Sequence, residues 1–529
     1  MDPRATAEAA LDRLRAAVAS MEVAPSVREI GRVISAGDGI ARIAGLPGTQ
    51  AQELLRFESG IMGIAFNLDE TEVGCVLLGE NTDVSAGDTV ERSGTVVRTP
   101  VGKELIGRVI DPLGAPLDGG PAIAPETHFP VERPAPPILA RSPVTHPMAT
   151  GIKSIDGMIP IGRGQRELII GDRSTGKTTI ALNTILNQTD GDVICVYVAI
   201  GQRASTAARV VEVLREGGAM AYTVVVVADA DSPPGMQFIA PYVGCAISEF
   251  FAEQGHSTLV VYDDLSKHAE TYREISLLLR RPPGREAYPG DIFYLHSRLL
   301  ERAAQWDDAH GGGSQTALPI VETQAQNISA YIPTNLISIT DGQICMDPDL
   351  FQSGFLPAVD IGLSVSRVGG KTQIPAMKKR AQAARLAFTQ FIELEAFAKF
   401  GTALDPGTER QLAKGRRLRE LLKQAAVDPV PLAEQVLILQ VADSDTLLDI
   451  DANDVRPFEE RFRAACRDRL GDLLEQIAQG GDVEGDAVSR VESVAQKVVQ
   501  SMERAQSSSE GVGEGAKAAA NAEGPHSDG

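Results

Sequence analysis

Residues 168 to 183 read LIIGDRSTGKTTIALN, an apolar run that leads through a glycine-containing loop into a segment of helix-forming composition. The loop has the form G-x-x-x-x-G-K-T and stands between a predicted strand and a predicted helix, the order that a P-loop requires. In such a loop the backbone N–H groups face phosphate oxygens, the lysine reaches the terminal phosphates and the threonine hydroxyl joins a magnesium shell. The sequence therefore predicts a Mg-nucleotide site. Its predicted binding residues are Gly171, Asp172, Arg173, Ser174, Thr175, Gly176, Lys177 and Thr178.

A second segment, 258 to 264, reads TLVVYDD and ends an apolar strand with two carboxylates. Parallel sheets place ligands at the carboxyl ends of their strands, so Asp263 is predicted to hold Mg²⁺ through water. An Asp-Asp pair after a strand is by itself more often a solvated turn. The complete P-loop upstream favours the magnesium interpretation.

Composition limits the classes of protein to consider. A chain of 529 residues with 43% apolar content exceeds one ordinary core and predicts two or three domains. Its net charge of −21 opposes binding to nucleic acid or to an anionic membrane surface. Five scattered cysteines without a C-x-x-C pair indicate neither a disulfide framework nor a zinc site, which fits a reducing cytoplasm. The seven histidines lack metal-ligand spacing, and none is predicted to be catalytic.

The order of patterns along the chain predicts a multidomain α/β protein. Residues 1–25 carry apolar side chains at helical spacing and predict an amphipathic helix, and 26–96 alternate short apolar runs with turn residues, as in a small β-barrel. A nucleotide-binding domain with a mostly parallel sheet is predicted for 97–373, a helical domain for 374–505 and a disordered tail for 506–529. No stretch approaches the roughly 18 uncharged apolar residues that span a bilayer, so membrane association is expected through partners.

Four motifs together resemble the alpha subunit of the F-type ATP synthase over nearly the whole chain. They are the P-loop, SLLLRRPPGREAYPGD at 276–291, HGGGS at 310–314 and SVSRVG at 364–369. The resemblance implies a barrel, a RecA-like nucleotide-binding domain and a helical domain. It also implies a ring of three alpha and three beta chains around a rotating stalk, in which alpha holds ATP or ADP without turnover while beta does the chemistry.

The same resemblance implies partners and a location. These are the beta subunits, the central-stalk gamma subunit, a peripheral-stalk subunit contacted by the N-terminal helix, and indirectly the ion-channel sector at the cytoplasmic face of the inner membrane. Arginines at 280, 281 and 285 fall in the stalk-facing segment. The sequence leaves open whether protons or sodium ions are coupled, and whether synthesis or hydrolysis is the working direction.

Three residues acquire roles from the resemblance. Arg367 is expected to reach the nucleotide on a neighbouring beta chain as an arginine finger, a device worth about 10³ to 10⁵ in rate. Ser366 belongs to the same loop, where a role in activity and a plain loop role are equally open. Gln202 stands where relatives that hydrolyse carry glutamate, and an amide is a poor base.

The chain departs from the alpha pattern around the nucleotide. Ser174 and Ala426 replace usual glutamines and Leu356 replaces a usual arginine, whereas Gln424 near the adenine is retained. Each lost polar partner commonly costs about 1 to 3 kcal/mol, so weaker nucleotide binding is expected. These departures suggest a divergent or second-copy bacterial synthase.

Two other classes of protein share some of these features. A homohexameric motor ATPase would have the P-loop, but it needs its own glutamate near 202 and, for RNA work, a basic channel; Gln202 and the charge of −21 argue against both. A stand-alone nucleotide-binding regulator needs neither an arginine finger nor a stalk-facing loop.

Overall fold

The computed structural model describes residues 29–80, 83–398 and 405–522, the last of these with side chains as far as 504. Two compact units divide the chain, 1–96 and 97–529. The helix predicted for 1–25 lies outside the described residues.

The first unit is a closed barrel of short antiparallel strands in the order β1-β2-β5-β4-β3-β6. Alternate side chains point inward, so that Ala41 and Ile43 of one strand join Leu55 and Phe57 of another in a fully buried core. This confirms the predicted barrel. Its strands are β1 (Ile30–Gly37), β2 (Ile40–Ala44), β3 (Glu53–Phe57), β4 (Met62–Leu68), β5 (Glu72–Leu77) and β6 (Thr89–Val96).

The second unit is built on a sheet whose described strands follow the order β16-β15-β10-β14-β13-β11-β12-β8. Every pairing in this sheet is parallel except that of β15 with the edge strand β16. The first eight residues of β11 are all buried, as expected for a strand covered on both faces. This confirms the predicted mostly parallel sheet. Its strands are β8 (Val109–Ile110), β10 (Leu168–Asp172), β11 (Val193–Gln202), β12 (Thr223–Asp229), β13 (Ser257–Asp263), β14 (Ser314–Thr323), β15 (Gly342–Met346) and β16 (Val359–Ser366), while β7 (Arg98–Val101) and β9 (Thr127–Pro130) form a separate pair.

Helices alternate with these strands, which is the connection that parallel pairing requires. The P-loop helix α2 follows β10, and α4 lies against β11, β12 and β13. These helices are α1 (Lys153–Met158), α2 (Lys177–Leu186), α3 (Ala204–Glu216), α4 (Pro234–Glu253), α5 (Leu265–Leu278), α6 (Ile292–Leu300), α7 (Tyr331–Ile339) and α8 (Pro348–Gln352).

A helical region completes the second unit and shares one continuous hydrophobic core with the sheet. One buried ion pair joins the two parts: Lys153 Nζ lies 2.6 Å from both carboxylate oxygens of Glu459, and the two side chains are 2% and 8% exposed. The helices of this region are α9 (Pro375–Ala398), α10 (Pro406–Leu422), α11 (Leu432–Asp443), α12 (Val455–Arg469), α13 (Gly471–Ala478) and α14 (Asp486–Ala522).

The last helix differs from the sequence-based expectation. Disorder was expected from 506 onward, but α14 continues to Ala522. The segment 516–522 is rich in alanine, the residue with the highest helix propensity, so helix can form there without an apolar face. Residues 523–529 lie outside the described part of the chain.

Two further findings concern the cysteines and the helices. All five cysteines are buried and free. Among the helices described, none combines the length and apolarity needed to cross a bilayer.

Candidate functional site

The P-loop connects the carboxyl end of β10 to the start of α2. Gly176, the cap of α2, has φ 98°, a left-handed conformation that favours glycine. A Cβ on Gly171 would lie 2.6 Å from Met346 Cβ, so only glycine lets the loop curl this tightly against β15. Inside the curl, Thr175 Oγ1 donates to Asp172 O at 2.8 Å. The backbone is therefore folded as a phosphate cradle.

The loop's charged side chains have distinct contacts. Lys177 is buried, and its Nζ donates to Gly171 O at 2.9 Å and to Asp172 O at 2.7 Å. Burial lowers the pKa of Lys177 below its ordinary value, and nearby carboxylates oppose that shift. The Asp172 carboxylate accepts from Thr323 Oγ1 at 2.6 Å, which ties the loop to the end of β14. Arg173 is exposed and lines the polar cleft beside the loop.

The predicted magnesium ligands are in direct contact. Thr178 Oγ1 donates to Asp263 Oδ2 at 2.7 Å, and Tyr197 donates its hydroxyl to the same oxygen at 2.6 Å. A hydroxyl and a carboxylate beside a P-loop fit Mg²⁺, which takes few side-chain ligands and completes its shell with phosphates and water. Asp264 caps α5 by accepting from Lys267 N at 2.8 Å. Burial and the adjacent Asp263 raise the pKa of Asp264 to about 8.

Gln202 ends β11 at the edge of this cleft. Its Nε2 donates to Asp263 O at 3.0 Å, a bond that an ionised glutamate cannot make. Its Oε1 is buried without a hydrogen-bond partner among the described residues. The carboxamide is thus part of the local structure around Asp263, and it has no basic group to activate water.

Two spaces adjoin the P-loop. A polar cleft of about 590 Å³ lies on the side of Lys177 and Asp263. Arg203, Lys267 and Glu322 also line it, and the sequence analysis missed all three. Glu322 had a usable signal, since it stands near the carboxyl end of β14, the neighbour of β10 in the sheet.

The second space is an apolar cavity of about 80 Å³ on the other side of the loop. Leu356 and Ala426 line it, as does Asn183 of α2, whose Oδ1 is buried without a partner among the described residues. Gln424 lines it too, but its amide is committed to the chain: Nε2 donates to Gly151 O and Asp428 O at 2.7 Å each, and Oε1 accepts from Lys153 N at 3.1 Å. These hydrogen bonds therefore fix this part of the cavity wall, a structural role of Gln424 that the sequence does not indicate.

Arg367 lies far from this chain's own P-loop. Its backbone N–H donates to Asp341 O at 2.8 Å, and Asp341 N donates to Arg166 O at 2.9 Å, just before β10 begins. Gly171, the first residue of the P-loop, lies five positions after Arg166 along this strand, roughly 17 Å at the usual rise. The exposed guanidinium donates to Ile337 O and Thr340 O at 3.2 Å each, capping the end of α7.

Ser366 is held inside the same turn. Its Oγ donates to Pro160 O at 2.7 Å and accepts from Gly369 N at 3.1 Å. Ser366 and Arg367, which are adjacent in the sequence, therefore both lie at the end of the sheet opposite Lys177 and Asp263.

Three family models match most of the chain. The beta-barrel domain of the ATP synthase alpha/beta family matches 26–94, its nucleotide-binding domain matches 151–366 and its C-terminal domain matches 373–498. The chain belongs to the ATP synthase alpha/beta family. The first two motifs of the sequence analysis fall inside the matched nucleotide-binding domain.

Curated relatives within the ATP synthase family identify the alpha branch. The chain is 54% identical over 489 residues to ATP synthase subunit alpha 2 of Syntrophotalea carbinolica, covering 92% of this chain and 94% of that protein. It is 53% identical to ATP synthase subunit alpha of Aquifex aeolicus, covering 90% and 94%, and 55% identical to that of Acetivibrio thermocellus, covering 89% and 93%. The resemblance to alpha subunits is confirmed.

The segment that the resemblance assigns to the stalk is exposed from Pro282 to Ala287. Arg281 is used within the chain, since it donates to Tyr272 Oη and Asp291 Oδ2 at 2.8 Å each. Arg285 is exposed, with its guanidinium 5.1 Å from the centre of the Tyr331 ring. Arg281 thus shapes the base of this loop, and Arg285 lies on its surface.

Proposed function

We propose that this chain is the noncatalytic alpha subunit of an F-type ATP synthase head, and that it supplies Arg367 in trans to the catalytic site of a neighbouring beta subunit. The observation that supports this proposal most directly is the position of Arg367. It is exposed, and the length of β10 separates it from the P-loop of its own chain. A guanidinium placed there cannot reach this chain's own phosphates, because an arginine side chain is much shorter than that strand. Because it is exposed, it can instead address a nucleotide held by another chain.

Gln202 supports the noncatalytic half of the proposal. Its amide is bonded to Asp263 O and offers no proton acceptor of useful basicity. The bound nucleotide, ATP or ADP, would be held by the backbone of the P-loop with Lys177 on its terminal phosphates, and Thr178 and Asp263 would hold Mg²⁺. The ion would supply charge neutralisation for the phosphates. In this proposal the site binds nucleotide without hydrolysing it, and the bound nucleotide stabilises the interface with the neighbouring subunit.

The proposed assembly is a ring of three alpha and three beta chains around the gamma subunit, with the exposed loop around Arg285 on the side of the central stalk. A peripheral-stalk subunit would contact the N-terminal segment. The complex would lie at the cytoplasmic face of the inner membrane, where its channel sector couples proton or sodium movement to ATP. Arg367 would stabilise the negative charge that develops on the transferring phosphoryl group of the beta subunit.

The purified chain alone is expected to show negligible ATP turnover, because Gln202 cannot act as a general base. Steady-state phosphate release from the chain, with and without beta subunits, measures this. A fluorescent nucleotide titration on the same sample controls for an intact P-loop. Turnover of about 1 per second or faster by the chain alone, the range of ordinary enzymes, would contradict the noncatalytic role.

The apolar cavity leads to a prediction about affinity. The double variant Leu356→Arg, Ala426→Gln is expected to bind ATP at least about 5-fold more tightly, because polar partners worth about 1 kcal/mol or more are restored. Calorimetry on the two proteins measures the change. Leu386→Arg, at an exposed position on α9, controls for added charge. Equal affinities would show that the cavity replaces the lost contacts in another way.

A further inference from the structure

A buried hydrogen-bond chain lies beneath the turn that carries Arg367. Gln165 and Glu167 precede β10 and are both 0% exposed. Gln165 Nε2 donates to Glu167 Oε2 at 2.7 Å and to Ser366 Oγ at 3.1 Å, while its Oε1 accepts from Gly162 N at 2.8 Å. The amide of Gln165 thus connects Glu167 to Ser366, which lies 201 residues after Gln165 in the sequence.

Ser366 has no hydrogen-bonding capacity left for another role. A hydroxyl has one donor and two acceptor positions. Its donor goes to Pro160 O, and its acceptor positions take Gly369 N and Gln165 Nε2. These bonds fix both sides of the turn, so the direction in which the next residue leaves the sheet depends on them.

Glu167 is an unusual group to find at this position. Its Oε1 is buried without a partner among the described residues, and its carboxyl lies against Gly342, where a Cβ would be 2.5 Å from Oε2. Burial raises the pKa of Glu167 well above its ordinary value; Asp341 adds to that shift and Arg367 opposes it.

A buried polar chain of this kind needs an explanation other than stability. Burying an acid with one unpartnered oxygen costs free energy that an apolar side chain of similar size would avoid. This hydrogen-bond chain also ends at the turn that carries Arg367. The P-loop lies at the other end of β10.

We propose that Gln165 and Glu167 are positioning residues for Arg367, and that the Glu167–Gln165–Ser366 chain fixes the turn from which the guanidinium reaches a neighbouring subunit's nucleotide. The inference rests on the proposed function of Arg367. It adds two residues that touch neither nucleotide and act only through the direction of that side chain.

The test uses Gln165→Met and Glu167→Met in the complex assembled with beta subunits, each made with Arg367 and again with Arg367→Ala. With Arg367 present, each variant is expected to lower kcat about 10- to 100-fold at unchanged KM, since a displacement of 1 Å has effects of that size. With Arg367→Ala, neither should cause a further loss. Glu167→Gln should keep near-normal kcat, because its amide oxygen still accepts from Gln165.

Gln315→Met is the matched control. Gln315 is also 0% exposed and also has a buried Oε1 without a described partner, but it is the second residue of β14 and donates to Cys245. It should leave kcat unchanged. Equal losses with and without Arg367, or full activity of both variants in assembled complexes, would overturn the inference. Failure of both variants to assemble would also overturn it, because the hydrogen-bond chain would then have a purely structural role.

The two proposals fail differently in this design. Normal turnover by Arg367→Ala alone would remove the proposed function of Arg367. A low turnover by Arg367→Ala together with normal turnover by Gln165→Met and Glu167→Met would remove only the positioning role.

Discussion

Arg367→Ala in the assembled complex is expected to lower multisite ATP hydrolysis by at least about 10³ while nucleotide affinity changes little. In the proposed role the guanidinium would act on charge that develops in the transition state, so its loss would depress turnover much more than ground-state binding. Steady-state hydrolysis and a nucleotide titration on the same preparation measure the two effects separately. Arg367→Lys should restore little of the lost ATP hydrolysis, because an ammonium lacks the planar, multi-donor fork of arginine.

The structure also predicts what Arg367→Ala will not do. Its two bonds to the last carbonyls of α7 are 3.2 Å long, one exposed and one partly buried, so losing them should cost only about 0.3 to 1 kcal/mol of stability. Arg456→Ala, which removes an arginine 69% exposed on α12, is the control for charge and should be neutral. Near-normal turnover by an assembled Arg367→Ala complex would leave this arginine as a helix cap only.

Glu459→Ala is expected to destabilise the chain by about 3 to 5 kcal/mol, because it leaves the Lys153 ammonium buried without its partner. Burial already lowers the pKa of Lys153 and raises that of Glu459, and the attraction between the two side chains is the largest effect that opposes these shifts. The midpoint of urea unfolding, followed by circular dichroism, measures the loss.

Two further variants separate the buried pair from a general effect of substitution. Glu460→Ala removes the adjacent glutamate, which is 68% exposed and 3.6 Å from Arg456, and should shift stability by less than about 1 kcal/mol. The double variant Lys153→Met, Glu459→Leu removes both charges and should recover most of the loss. An unchanged midpoint for Glu459→Ala would show that water reaches Lys153.

The phosphate-binding part of the site was predictable because phosphate chemistry fixes its spacing. A loop that presents N–H groups needs glycine at both ends and a lysine beside the second, and these residues are adjacent in sequence. Asp263 was predictable for a related reason, since it directly follows an apolar strand. The barrel and the mostly parallel sheet followed from strand spacing and from the alternation of strands with helices.

The missed residues depend on contacts between distant segments. Tyr197 reads as one more apolar residue of β11, and only the pairing of β11 with β13 places its hydroxyl on Asp263. Gln165 and Glu167 read as an exposed polar turn, because nothing in their local sequence shows that the turn after β16 covers them. Gln424 remains a predicted residue near the adenine, and its sequence position does not show that its amide also donates within the chain, to Gly151 O.

Strand β10 also determines how this chain can move. Its backbone is hydrogen-bonded on both sides, to β14 and β15, so it cannot lengthen or shorten. The turn of Arg367 and the P-loop are therefore kept at a constant separation. In a ring of such chains, Arg367 would approach or leave a neighbour's nucleotide mainly by rotation of the whole sheet. The same rotation would move the P-loop at the opposite end. We therefore expect a rigid-body rotation of one chain to change the positions of Arg367 and of the P-loop together.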